Sequence, residues 1–186
     1  MKGKILASRY AKAVFELALE KKLLNDINND MKLIDSVTGE SKELMTLLRN
    51  PVLKPKKKKA ILKAIFENKI QAVTLKFLFI LTDNGRESYI RDVTEEFQEL
   101  YNEYNNIITA SLTTAVKIDS DVMKKIVSLI EKQTKATIKL QENINENIIG
   151  GFVLDYDDYE YDASIRHQIK KLKKEFDSNL YVKGFN

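Results

Sequence analysis

The sequence has no cysteine, one histidine, two prolines and six glycines in 186 residues. Without cysteine there are no disulfides and no thiolate metal ligands, which fits a reducing compartment. A lone histidine makes neither a recognisable zinc set nor a Cys–His catalytic pair. That histidine, His167, lies among Arg166, Lys170 and Lys171 and reads as an exposed helix residue. No phosphate-binding glycine loop is present. Gly150-Gly151 follows Ile148-Ile149 but lacks the third glycine and the helix start of a dinucleotide fingerprint. The acidic run Asp155, Asp157, Asp158, Glu160 and Asp162 carries Glu160 and Arg166 where a calcium loop needs Gly and Glu. It reads as a solvated hairpin turn at Asp157-Asp158 and a helix cap at Asp162. The longest strongly apolar stretch, around Val73–Leu81, is far short of the roughly 20 residues that cross a bilayer. Met1-Lys2-Gly3-Lys4 runs straight into helical pattern, so neither a secretion signal nor a transit peptide is expected. Catalytic residues, metal and cofactor are all expected to be absent.

Hydrophobic residues make up 44% and charged residues 31%, as in soluble globular proteins. The net charge of +4 falls entirely in residues 1–104, and residues 105–186 are balanced. That excess is too mild to mark a nucleic-acid binder. Its densest part, Lys54 and Lys56–Lys59, has no interleaved aromatics for base stacking and reads as a solvated helix end.

Residues 5–104 carry helical periodicity throughout. Helices are predicted over about 5–22, 25–37 (ending near Gly39), 41–48, from Pro55, 71–83 and 87–104. Asn50-Pro51 stops the third, Pro55 suits the first turn of the fourth, and Asn84-Gly85 stops the fifth. After Asn105-Asn106 the period drops to two: Ile108, Ala110, Leu112, Thr114 and Val116 alternate with mostly polar neighbours. A helix capped by Asp119 or Asp121 follows, then an alternating strand through Ala136, Ile138 and Leu140. Short strands at 151–156 and 159–161 and a helix over about 163–176 complete the chain. The fold class expected is mainly α: an N-terminal six-helix bundle (1–104) followed by a small α/β domain (105–186).

Two helices stand out. The apolar positions of the first, including Ala7, Tyr10, Ala11, Val14, Phe15 and Ala18, cover on the order of 200° of its surface, against about 100° for a helix that only reaches a core. Either it is central in its bundle, or it has a second, small-sided face on which another helix lies. The fifth, with Phe77, Leu78 and Leu81, is apolar nearly all round, and two such helices are hard to bury in about 100 residues. A groove that receives an amphipathic helix is therefore expected. In the C-terminal half the pair Gly150-Gly151 marks a kink or close backbone approach, followed by the helix start at Asp162 and Ser164.

Several segments, in order, resemble the delta subunit family of F-type ATP synthases, which includes the mitochondrial oligomycin-sensitivity-conferring protein. Ala7-Ser8-Arg9-Tyr10-Ala11-Lys12-Ala13-Val14 resembles the family's opening motif and Asn50-Pro51 its turn. Leu78 through Gly85-Arg86 resembles its Leu-x-x-x-Gly-Arg junction, and Ile149-Gly150-Gly151-Phe152 its C-terminal signature. Asp162-Ala163-Ser164-Ile165-Arg166 resembles its helix start; Asp155, after the strand, departs from the basic or amide residue more usual in the family at that point. The resemblance implies a non-catalytic stator connector. Its N-terminal domain would bind alpha-subunit N-terminal helices on the catalytic head, and its C-terminal domain the end of the peripheral-stalk b subunit. It further implies one copy per complex and a peripheral place on the cytoplasmic side of the bacterial inner membrane. The competing reading is a basic helical nucleic-acid-binding or adaptor protein.

Overall fold

The computed structural model describes residues 2–116, 119–156 and 159–179. The chain is mainly helical with one small four-stranded sheet. It forms two compact units, Met1–Asn105 and Asn106–Asn186.

The first unit contains α1 (Lys2–Glu20), α2 (Leu24–Glu40), α3 (Lys42–Arg49), α4 (Pro55–Phe66), α5 (Ala72–Asp83) and α6 (Ile90–Tyr104), with a 3₁₀ turn at Glu87–Tyr89 before α6. Local chemistry sets most boundaries. Ser41 caps α3 by accepting from the Leu44 amide at 3.2 Å, and Pro55 opens α4. The end of α5 is a Schellman motif: Gly85 sits at φ +64°, its amide donates to the Thr82 carbonyl (3.1 Å), and the Arg86 amide donates to Leu81 (2.8 Å). The second helix, expected to end near Gly39, ends one residue beyond it. α2 runs through Gly39 to Glu40, because the next stop signal is the Ser41 cap.

One core joins these helices through Ala7, Val14, Ile27, Ile34, Leu48, Leu62, Phe66, Leu78, Ile90 and Phe97, all essentially inaccessible. α1 packs most extensively on α6. Its alanines Ala7, Ala11 and Ala18 are fully buried, and side chains this small let a neighbouring helix come close. Lys58 corrects the solvated reading of its cluster. It occupies a buried row with Leu62 and Phe66, four residues apart. Its Nζ donates to the Leu48 carbonyl at 2.6 Å and pairs with buried Glu87, joining α3, α4 and the turn before α6. Lys54, Lys56 and Lys57 are exposed, while Lys59 bridges to Asp83.

The second unit contains β1 (Ile107–Thr114), α7 (Ser120–Thr134), β2 (Thr137–Ile144), β3 (Phe152–Tyr156), β4 (Tyr159–Asp162) and α8 (Ile165–Asn179). The strand order is β2-β1-β3-β4. β1 runs parallel to β2, with Ile108 opposite Ile138, and antiparallel to β3, with Leu112 opposite Leu154. Parallel neighbours need a crossover, which α7 supplies. Asp119 caps α7, and Ile126, Val127 and Ile130 pack with Ala110, Leu112, Ile138 and Leu154. The expected turn at Asp157-Asp158 lies outside the described residues. The cap of the last helix is Ser164 rather than Asp162. Ser164 Oγ accepts from the His167 amide (3.1 Å), and Asp162 Oδ1 accepts from the Ser164 amide (2.9 Å), bracing the cap from two residues upstream.

Candidate partner-binding surfaces

In the first unit, eight of the nine side chains expected to line a helix groove are core. Ala7, Ala11, Val14, Phe15, Ala18, Phe77, Leu78 and Leu81 are all buried, and only Tyr10 is half-exposed. The over-wide apolar arc of α1 is real, but its outward part is another flank. Leu6, Tyr10 and Leu17 are half-buried and Ala13 is exposed. At 100° per residue these four fall together, beside the buried Ala7–Val14 side. α5 carries a matching flank in half-buried Val73 and exposed Ile80. The Tyr10 and Phe77 rings meet edge-to-face, with centroids 6.4 Å apart, so the two flanks adjoin. The signal for this was in the sequence: Leu6, Ala13 and Leu17 belong to the same arc as the residues singled out.

Charge chemistry in this unit is structural. Asp30 of α2 accepts from the Gln71 amide (2.9 Å) and the Thr74 hydroxyl (2.5 Å) at the start of α5. Burial raises its pKa, opposed by those two hydrogen bonds and helped by nearby Asp26. Gly85 and Arg86 are exposed and close the α5 terminus as described above.

In the second unit the glycine pair has a steric reason. Gly151 has φ +79°, and a Cβ there would stand 2.3 Å from the Ala163 carbonyl oxygen, so backbone meets backbone. At Gly150 a Cβ would meet only the tip of Ile165, at 2.8 Å. The Gly150 carbonyl accepts from the Ile165 amide at 3.0 Å, and Phe152 accepts from Ala163 at 2.9 Å. The pair therefore lets the start of α8 lie directly on the beginning of β3. Hydrogen bonding to Ser164 holds the half-buried Asp162 carboxyl below its ordinary range, with a smaller contribution from His167, 3.2 Å away.

This unit also exposes much apolar side-chain surface. Ten of the fifteen exposed large apolar side chains among the described residues lie in it, although it is the smaller unit. A groove of about 430 Å³ opens beside α7, lined by Ile126, Leu129, Ile130, Phe152, Leu154, Tyr156 and Tyr161. Apolar surface left open on this scale is a mark of an interaction site. Among the described residues no helix is long and apolar enough to cross a membrane, and no group of three or more His, Cys, Asp or Glu is placed to hold a metal ion.

Comparison with known proteins agrees with the motif order. Residues 6–176 match the family described as ATP synthase delta (OSCP) subunit. The chain is 36% identical to ATP synthase subunit delta of Christiangramia forsetii, over 98% of each chain. It is 35% identical to the same subunit of Cytophaga hutchinsonii, over 95% of this chain and 96% of that one. A chain in the Toxoplasma gondii mitochondrial ATP synthase hexamer shares its fold, with a TM-score of 0.72, 20% identity, and coverage of 92% of this chain and 97% of that one. The chain belongs to the ATP synthase delta (OSCP) subunit family.

Proposed function

We propose that this chain is a two-ended tether in the stator of ATP synthase. As a member of its family it is a non-catalytic subunit of that enzyme. The six-helix unit, residues 1–104 in the sequence reading, binds amphipathic N-terminal helices of alpha subunits on the catalytic head. The α/β unit, residues 105–186, binds the C-terminal region of the b subunit. One copy per complex lies at the periphery of the bacterial inner membrane, on the cytoplasmic side.

The observation that carries this reading is the contrast between the units. The first has a core of nineteen buried side chains among the described residues and offers an apolar seam along Tyr10, Ala13 and Ile80. The second has, among the described residues, a small core cluster around Ala110, Leu112, Ile130, Ile138 and Leu154 and a surplus of exposed apolar surface. Two differently built surfaces suit two different partners. Burial shifts the proposed alpha-helix contact from the buried row to Leu6, Tyr10, Ala13 and Leu17 of α1 and Val73 and Ile80 of α5, with buried Phe77 beneath them. Ala7, Ala11, Val14, Phe15, Ala18, Leu78 and Leu81 hold those two helices in place behind it.

A pull-down of the full chain with synthetic alpha N-terminal and b C-terminal peptides tests the assignment. Both peptides should bind at once. Competition between them for one surface would contradict two-ended tethering.

A further inference from the structure

The last helix has almost no core to bury into. Every residue from Ile165 to Glu175 is exposed, including Ile165 at 42%, Ile169 at 43% and Leu172 at 52%. Its start is nevertheless firmly set, by the Ser164 cap and the Ile165–Gly150 hydrogen bond. A short helix in water is marginal unless its apolar face is covered. Among the described residues nothing covers the apolar stripe of α8.

The pattern of its side chains specifies that cover. Ile165, Ile169 and Leu172 are spaced by four and three residues, which puts them within about 60° of one another around the helix. A stripe that narrow is a coiled-coil seam; a helix lying on a membrane presents a much broader apolar face. With Ile165 and Leu172 at d positions and Ile169 at a, Arg166 and Lys173 fall at e, and Gln168 and Glu175 at g. The seam thus has a row of cations along one side and a neutral and an acidic residue along the other.

We propose that α8 captures a single partner helix, with an apolar heptad seam and an acidic row facing Arg166 and Lys173. This rests on the reading of the second unit as the stalk-binding end, and adds the surface and the chemistry. The apolar seam supplies affinity and the charged flank fixes register and orientation.

Full-length chain and a synthetic peptide from the C-terminal region of the b subunit of the same complex provide the test, by fluorescence anisotropy. Ile169→Asp, and separately the pair Arg166→Glu with Lys173→Glu, should each weaken binding roughly tenfold or more. The outer-face pair Lys171→Glu with Lys174→Glu should have much less effect. Replacing the peptide's facing acids with lysine should restore binding to the Arg166/Lys173 pair variant. All these positions are exposed, so thermal melts of the variants should match the parent. Failure of the peptide to bind the parent chain would overturn the stalk-binding reading itself. Binding to the parent and equally to Ile169→Asp would leave that reading intact and overturn the assignment to α8. So would equal losses from the flank and outer-face pairs, which indicate unspecific charge attraction. Capture of the parent, but not Ile169→Asp, by phosphatidylglycerol vesicles with no peptide bound would make α8 a membrane-surface helix and overturn the proposal.

Discussion

A Cβ on Gly151 would lie 2.3 Å from the carbonyl oxygen of Ala163, closer than two such atoms can approach. The contact is backbone on one side, at a residue already at φ +79°, so no side-chain rotation relieves it. Gly151→Val should destabilise the second unit and pull the start of α8 off β3, with loss of hydrogen-exchange protection at the Ala163 and Ile165 amides. Gly150→Ala should be milder, because its obstacle is the movable end of Ile165. A Gly151→Val chain with unchanged protection at both amides would contradict this account.

The Asp30–Gln71 contact ties α2 to the start of α5 and carries a pH signature. Burial raises the Asp30 carboxyl above its ordinary value, so the folded chain holds that proton more tightly than the unfolded one. The cost of burying the charge is therefore fully present above the raised value and is relieved as pH falls through it toward the ordinary carboxylate range. Asp30→Asn keeps an acceptor but does not titrate. Its melting temperature relative to the parent should be highest near neutral pH and decline as the solution is acidified through this window. Asp30→Ala also loses both hydrogen bonds at the start of α5, at about 1 kcal/mol each. A parent–Asn difference that is flat with pH would remove Asp30 from the explanation.

Lys58 and Glu87 form a buried pair, and Glu87 Oε2 finds no hydrogen-bond partner among the described residues. Removing one charge strands the other in the core. Lys58→Met should cost roughly 3–5 kcal/mol, and adding Glu87→Leu should recover much of it. Urea titration followed by circular dichroism measures both. A double variant weaker than the single would show that the pair is worth more than its replacement by packing.

The proposed groove separates two kinds of alanine on one helix. Ala11 is fully buried and Ala13 is exposed. Ala11→Glu should lower the melting temperature of the first unit by burying an unpaired charge. Ala13→Glu should leave stability unchanged and weaken binding of an alpha N-terminal peptide, measured by isothermal titration calorimetry. Full peptide affinity in Ala13→Glu would place the contact elsewhere.

Helix positions, the change of period after Asn106 and the close approach at the glycine pair were all legible, because each follows from local spacing. What could not be read depends on partners distant in sequence. Asp30 lies 41 residues from the amide it receives, and nothing near it marks the contact. Lys58 was hidden among three exposed lysines and half-buried Lys59, although its spacing to Leu62 and Phe66 gave the inward row. The arc of α1 told that more than a core-facing stripe is apolar, but which side meets the core is decided by packing against α6. Ser164 outranks Asp162 as the cap because the helix begins one residue after it.

The two units should work only when joined. Gradient-driven ATP synthesis, in membranes depleted of this chain and then rebuilt, reads this out. The full chain should restore synthesis. Residues 1–104 and 105–186 added together as separate pieces should bind their partners and restore none, because nothing then stops the head from turning with the rotor. Full recovery with residues 1–104 alone would contradict the account.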